Sequence, residues 1–167
     1  YHEIGMDHFA RKTDSLYQSM ESGNLHRNFM GYTDLHTYLQ IGLGVSSISD
    51  SWTAFAQNEK KVEDYYQRLQ QNELPAYRGH LLGHEDQEMR RHILNLMCRF
   101  ATDFGAEVPA QVLNELQEPL ADGLVQIDHG RVFIPEKGRP FIRNICMAFD
   151  LRLKRKQPDR QIFSMTI

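Results

Sequence analysis

Cysteine is scarce in this chain: Cys98 and Cys146 are the only two among 167 residues. One pair cannot build the disulfide framework of a small secreted domain, and the expected compartment is a reducing one. Each cysteine sits in an apolar helical pattern, where buried packing is its ordinary use. No apolar run approaches the ~20 residues needed to cross a bilayer, so no membrane span is expected. Internal repeats, low-complexity tracts and a secretory leader pattern are also missing. The chain starts at Tyr1 rather than Met, and a piece of a longer protein is expected. What remains is ordinary globular usage, 41% hydrophobic and 25% charged. That is enough for one domain, or for a small domain plus part of another.

The net charge of −3 hides an asymmetry. Residues 131–167 carry nine Lys and Arg against three Asp and Glu, or +6, while residues 1–130 carry ten against nineteen, or −9. A basic end that includes Arg152, Lys154, Arg155, Lys156 and Arg160 suits nucleic acid or an acidic ligand. A solvated last helical turn, favourable with the helix dipole, gives the same count.

Glu3 to Ala10 reads as a short buried strand ending in polar residues. Thr13 is placed to cap a helix with the stripe Leu16, Tyr17 and Met20, stopped at Gly23-Asn24. Leu25 to Thr33 reads as a loop, and Tyr38 to Val45 as a second strand. Strand, helix-containing connection, strand is the pattern of an α/β layer with parallel strands, in which ligands gather at strand C-termini. That rule groups Asp7 and His8, after the first strand, with Ile48, after the second. The polar stretch Asp50 to Glu59 is the expected domain junction. Beyond it, Val62, Tyr65, Tyr66 and Leu69 follow helix spacing up to Pro75. Tyr77 to Leu82 reads as a short strand. Met89, Ile93, Leu96, Met97 and Phe100 form a strong stripe from Asp86 to Asp103, and Val112, Leu113, Leu116 and Leu120 form the next. Leu124–Ile127 and Arg131–Ile134 flank Asp128-His129-Gly130 as a hairpin. A last helix carries Ile142, Ile145, Cys146, Phe149 and Leu153. The fold class is therefore α+β. Residues 1–50 end an incomplete α/β barrel, 51–85 are a helical linker region, and 86–167 are a mainly helical domain with a winged-helix-like hairpin.

Three polar or small-residue stretches carry potential chemistry. Gly42-Leu-Gly-Val-Ser-Ser-Ile-Ser49 offers small residues where backbone can approach a ligand. It is not a dinucleotide fingerprint, since Ser47 stands where the third glycine belongs. Asp7 and His8 read either as a polar pair at a barrel mouth or as a satisfied buried histidine beside a solvent aspartate. His26, Arg27 and Asn28 lie in a predicted loop, where Arg27 can fork onto a carboxylate or simply face water. His80 and His84 are four apart, but Gly79 and Gly83 interrupt the helix a metal pair would need, and no third ligand is evident.

Taken in order, Ile4-Gly-Met-Asp-His-Phe-Ala-Arg11, Leu25-His-Arg-Asn-Phe-Met-Gly-Tyr-Thr33 and Gly42 to Ser49 closely resemble the oxygen-independent coproporphyrinogen III oxidases, radical S-adenosylmethionine (SAM) enzymes of haem biosynthesis. Arg143-Asn-Ile-Cys-Met147 and the closing residues extend the resemblance over the whole chain, which matches the C-terminal part of that family. The resemblance implies a cytoplasmic, monomeric enzyme that converts two propionates of coproporphyrinogen III to vinyls, with SAM and a 4Fe-4S cluster, and without nucleic acid or a membrane. The cluster needs a three-cysteine loop, which two cysteines 48 apart cannot supply. That loop is therefore expected upstream, and no metal ligand, catalytic residue or independent activity is expected of this chain. One residue is carried over as a SAM contact, Ile48, in the family's Gly-Leu-Gly-Val-Ser-x-Ile-Ser pattern, and Ser47 fills a slot commonly alanine there. Asp7, His8 and Arg27 become substrate-side candidates, since the substrate bears four propionates. The sister family of haem chaperones shares the plan but differs in wording at Gly-Met-Asp-His-Phe-Ala and His-Arg-Asn-Phe. A winged-helix DNA binder is the third reading, and the acidic remainder of the chain disfavours it.

Overall fold

Antiparallel hairpins, not parallel crossovers, organise the strands. The computed structural model of the protein describes residues 1–155. It divides the chain into two units: Tyr1–His2 with Ala10–Glu88, and Glu3–Phe9 with the chain from Met89 onward. Mixed helix and strand content agrees with an α+β fold. Among the described residues no sheet closes into a barrel, and the pairings from β3 to β11 are all antiparallel. The expected parallel layer is thus corrected.

In the first unit, helix α1 (Ser15–Glu21) starts one residue later than Thr13 would place it. Asp14 is the cap, and its carboxylate accepts the Leu16 amide at 2.9 Å. The predicted loop at 25–33 is a hairpin of β3 (His26–Asn28) and β4 (Gly31–Thr33). Its turn is built locally, with the Asn28 side chain accepting the Met30 amide at 2.8 Å, a bond that composition alone does not announce. Strands β5 (Leu39–Gln40), β6 (Ile48–Ser51), β7 (Ala54–Asn58) and β8 (Ala76–Leu81) then form one sheet in that order. The stretch from Asp50 to Glu59, expected as a junction, is the β6–β7 hairpin, with Ser51 opposite Ala54 across Trp52-Thr53. Between β7 and β8 runs α2 (Val62–Gln70), in the place its stripe predicts. This unit buries few large apolar side chains: Leu25 and Tyr32 are inside, while Phe29, Met30, Tyr38, Leu39 and Leu43 are exposed.

The hydrophobic core sits in the second unit. Helix α3 (His84–Arg99), which begins in the first unit, supplies Met89 and Leu96. It ends before the predicted Asp103 because Phe100 turns to φ 56, and Ala101–Asp103 leave as strand β9. Inside, His92 bonds the Thr102 hydroxyl at 2.7 Å and stacks on Phe104 at 3.8 Å between ring centroids, tying helix to strand. Helices α4 (Ala110–Glu115) and α5 (Gln117–Ala121) carry the next stripe. The predicted hairpin is β10 (Gln126–Asp128) and β11 (Arg131–Phe133), and β9 adds beside β11. His129 and Gly130 turn at φ 43 and 81, as a two-residue hairpin turn of this hand requires. Gly130 is also fixed by space, since a β-carbon there would overlap the Ala106 carbonyl. The expected last helix is two helices, α6 (Ile142–Met147) and α7 (Leu151–Arg155), and a 3-10 segment (Glu136–Phe141, containing Pro140) precedes them. Ile142, Ile145, Cys146 and Phe149 still point into the core.

The remaining strands, β1 (His2–Gly5) and β2 (His8–Ala10), pair with each other. The single strand expected over Glu3–Ala10 is thus a hairpin turning at Met6-Asp7. Both turn residues take left-handed backbone, at φ 43 and 67, without a glycine between them. Met6 packs against the core of the second unit.

Candidate functional site

Strand β5 stops at Gln40 because the chain must next pass close to β6. A β-carbon on Gly42 would lie 2.8 Å from the carbonyl carbon and oxygen of Ile48 and 2.9 Å from its nitrogen. All three atoms are backbone, so only glycine fits without displacing Ile48. Gly44 and Ser46 then turn at φ 92 and 61, which ends any strand over Tyr38–Val45. The Gly42 amide donates to the Ser49 hydroxyl at 3.0 Å, and the Ser47 hydroxyl donates back to the Leu43 carbonyl. Residues 42–49 are therefore a closed loop held against the start of β6, rather than a strand end.

The loop is clamped from β7 and α2. The buried Asn58 donates its side-chain amide to the carbonyls of Gly42 and Gly44, at 3.0 and 2.9 Å. Both partners are acceptors, so the nitrogen of the amide must face them and both its hydrogens are used. The Asn58 backbone amide donates to the Ser47 carbonyl at 2.9 Å, and the Ser46 amide to the Glu59 carbonyl at 2.8 Å. From α2 the Tyr65 hydroxyl accepts the Gly44 amide at 3.2 Å. Glu59 is itself buried and paired with Arg68, 2.7 Å from its Nε. Ile48 stands at the head of β6, opposite Gln57, with its side chain half-buried. Sequence reading finds Gly42, Gly44 and Ile48 but misses Asn58, Glu59 and Tyr65. The usable signal is an asparagine and a glutamate side by side at the end of a strand, a costly pair to bury without partners.

Arg27 belongs to the same unit. It faces Tyr32 across the β3–β4 hairpin, and its guanidinium lies 5.5 Å from the ring centroid. Its Nε is buried without a hydrogen-bond partner. Phe29 meets Phe55 of β7 edge-on at 5.2 Å, and His26 lies 4.4 Å from His36 between ring centroids. The guanidinium is thus partly buried against the Tyr32 ring, with its Nε closed off from solvent.

Asp7 and His8 fall in the second unit, Asp7 in the β1–β2 turn and His8 at the start of β2, rather than at the end of a parallel strand. Both are exposed, and His8 bonds the Met6 carbonyl through Nδ1 at 2.9 Å. His80 lies on β8 and bonds Asp86 at 3.3 Å, while His84 opens α3, so the two do not share a helix face. Among the described residues no three His, Cys, Asp or Glu side chains gather as metal ligands. Arg155 bonds Gln111 at 3.3 Å and Arg152 is exposed on α7, whereas Lys156 and Arg160 lie outside the described residues.

No protein-family model matches the chain. Curated proteins do match it along its whole length. It is 39% identical over 177 residues to an oxygen-independent coproporphyrinogen III oxidase of Escherichia coli K12, spanning 100% of this chain and 38% of that protein. With the oxidase of Thermostichus vulcanus it shares 40% identity, over 93% of this chain and 51% of the relative. Among solved structures, coproporphyrinogen III oxidase (HemN) from Escherichia coli, titled a radical SAM enzyme, superposes with a TM-score of 0.81 at 39% identity, covering 90% of this chain and 37% of that one. The chain is homologous to the C-terminal part of the oxygen-independent coproporphyrinogen III oxidases. It spans a little over a third of the length of the Escherichia coli oxidase.

Against the groups such an oxidase is expected to carry, the residues here divide. Cys98 and Cys146 are buried in the second unit and do not fit a cluster loop. Ile48 fits a SAM contact, which asks of this chain only an apolar side chain partly open at a rigid piece of backbone. No helix is long and apolar enough to cross a membrane among the described residues.

Proposed function

We propose that this chain forms the C-terminal part of an oxidase that decarboxylates two propionates of coproporphyrinogen III to vinyls, giving protoporphyrinogen IX. The observation that carries this reading is the match over the whole chain to proteins so named, combined with a shared fold at 39% identity. In each round a propionate loses one hydrogen atom, carbon dioxide and one electron, and the vinyl remains. SAM with a 4Fe-4S cluster, when bound, supplies the hydrogen abstraction, and an acceptor takes the electron. The cluster loop belongs to the rest of the polypeptide. The part of this chain is to bind and orient. Ile48 presents an apolar contact to SAM from a loop that cannot easily move. Arg27, part-exposed on β3, offers its guanidinium to a propionate, and Asp7 and His8 contribute polar contacts on the substrate side. Residues 1–50 then border a barrel formed by the rest of the polypeptide, and a winged-helix-like domain follows from residue 86. The protein works as a cytoplasmic monomer without nucleic acid, and this chain alone turns over no substrate.

The test uses the full-length protein, reconstituted with iron and sulfide without oxygen and supplied with SAM, reductant and coproporphyrinogen III. Vinyl product is the expected result. Tight haem binding without product would move the assignment to a haem chaperone. In the same assay Arg27→Gln should raise KM for coproporphyrinogen about tenfold or more, the scale of one charge-assisted hydrogen bond, with SAM affinity unchanged. An unaltered KM would remove Arg27 from the substrate site.

A further inference from the structure

We infer that Asn58 is a positioning residue for SAM, acting through the backbone of the 42–49 loop to place Ile48. This rests on the reading of Ile48 as a SAM contact and adds the part that makes the contact rigid. Nothing in the sequence resemblance points to Asn58. The geometry does. Its two side-chain hydrogens go to Gly42 and Gly44, on either side of Leu43, and its own amide goes to Ser47, the residue before Ile48. It is 8% exposed, so these bonds have little competition from water. Gly42 in turn lies so close to the Ile48 backbone that a β-carbon there would come within 2.8 Å of it, and a shift of the Gly42 carbonyl is passed directly to Ile48. Tyr65 holds the same loop through Gly44, and Gln57 donates to the Ser46 carbonyl at 3.2 Å. The loop contains two positive-φ residues, Gly44 and Ser46, and so depends on such outside bonds to keep its shape.

Asn58→Asp tests this with little change of volume. It turns the inward nitrogen into an oxygen that faces two carbonyls. The full-length protein, with its cluster reconstituted, is compared with the Asn58→Asp, Tyr65→Phe and Ile48→Asp variants. Three quantities are read: SAM affinity by equilibrium dialysis, amide hydrogen exchange of Gly42, Gly44 and Ser46, and iron content. For Asn58→Asp we expect faster exchange at those amides and SAM binding weakened about tenfold, the order expected when a contact is displaced by less than an ångström, with iron content unchanged. Tyr65→Phe should move both readouts the same way and by less, which preserves the test where Asn58→Asp does not fold. Ile48→Asp should weaken SAM without speeding exchange across the loop. Faster exchange with full SAM affinity in Asn58→Asp, beside a weakened Ile48→Asp, overturns the positioning role alone. Full SAM affinity in Ile48→Asp overturns the cofactor reading and the role of Asn58 with it.

Discussion

Phe149→Ala should destabilise the second unit by roughly 3–5 kcal/mol, the scale of emptying an aromatic site in a closed core. Phe149 is fully buried and lies in the cluster formed by α3, α4, the β9–β11 sheet and α6. Its ring runs nearly parallel to that of Phe104, 6.1 Å away at 17°, and Phe104 stacks in turn on His92. Truncation therefore opens a void beside Phe104, the ring that stacks on the buried, hydrogen-bonded His92. The measurement must report the right unit. Trp52, the chain's single tryptophan, lies in the first unit, so its fluorescence is a poor gauge. Hydrogen exchange at Val132, fully buried at the centre of the β10-β11-β9 sheet, reads the loss directly. Protection there that matches the unaltered protein would mean the core repacks around the missing ring.

Gly42→Ala should weaken SAM binding by the full-length protein tenfold or more while costing only about 1–3 kcal/mol of stability. The added methyl meets three backbone atoms of Ile48, with no flexible side-chain end able to give way. The strand must shift, and the cofactor contact proposed for Ile48 shifts with it. Gly23→Ala is the control, because Gly23 ends α1 at φ 72 and a methyl group there would meet nothing within 4 Å. It should cost stability through backbone conformation alone and leave SAM affinity intact. Equal SAM affinity in the two variants would show that the 42–49 loop does not bear on the cofactor.

The helices are legible in the sequence wherever a stripe is long. Val62 to Leu69 and Met89 to Leu96 repeat with helical period, and the structure has α2 and α3 there. Asp128-His129-Gly130 carries its own turn chemistry, and β10 and β11 follow from it. Strands of two or three residues are different, because β3, β4 and β5 are too short to show alternation. The break in the last helix is hidden because its apolar residues keep helical spacing across Asp150. At the site, small residues mark where backbone comes close, so the 42–49 loop can be found. Its fixings cannot. Asn58 and Tyr65 act on carbonyls and amides 14 to 21 positions away, and no local pattern encodes a bond of that span.

The β1–β2 turn has a bearing on the order in which the protein assembles. A hairpin whose turn holds glycine or asparagine can form early and alone. This one needs Met6 and Asp7 both in the left-handed region, at about 1–2 kcal/mol for each residue ill-suited to it. The local bond between His8 Nδ1 and the Met6 carbonyl is exposed and offsets only part of that cost. The rest comes from Met6 against the core and from Ile4, which is fully buried. Residues 3–9 therefore settle late, once the segment from Met89 onward has gathered. A local turn is thereby made to depend on side chains far from it in sequence.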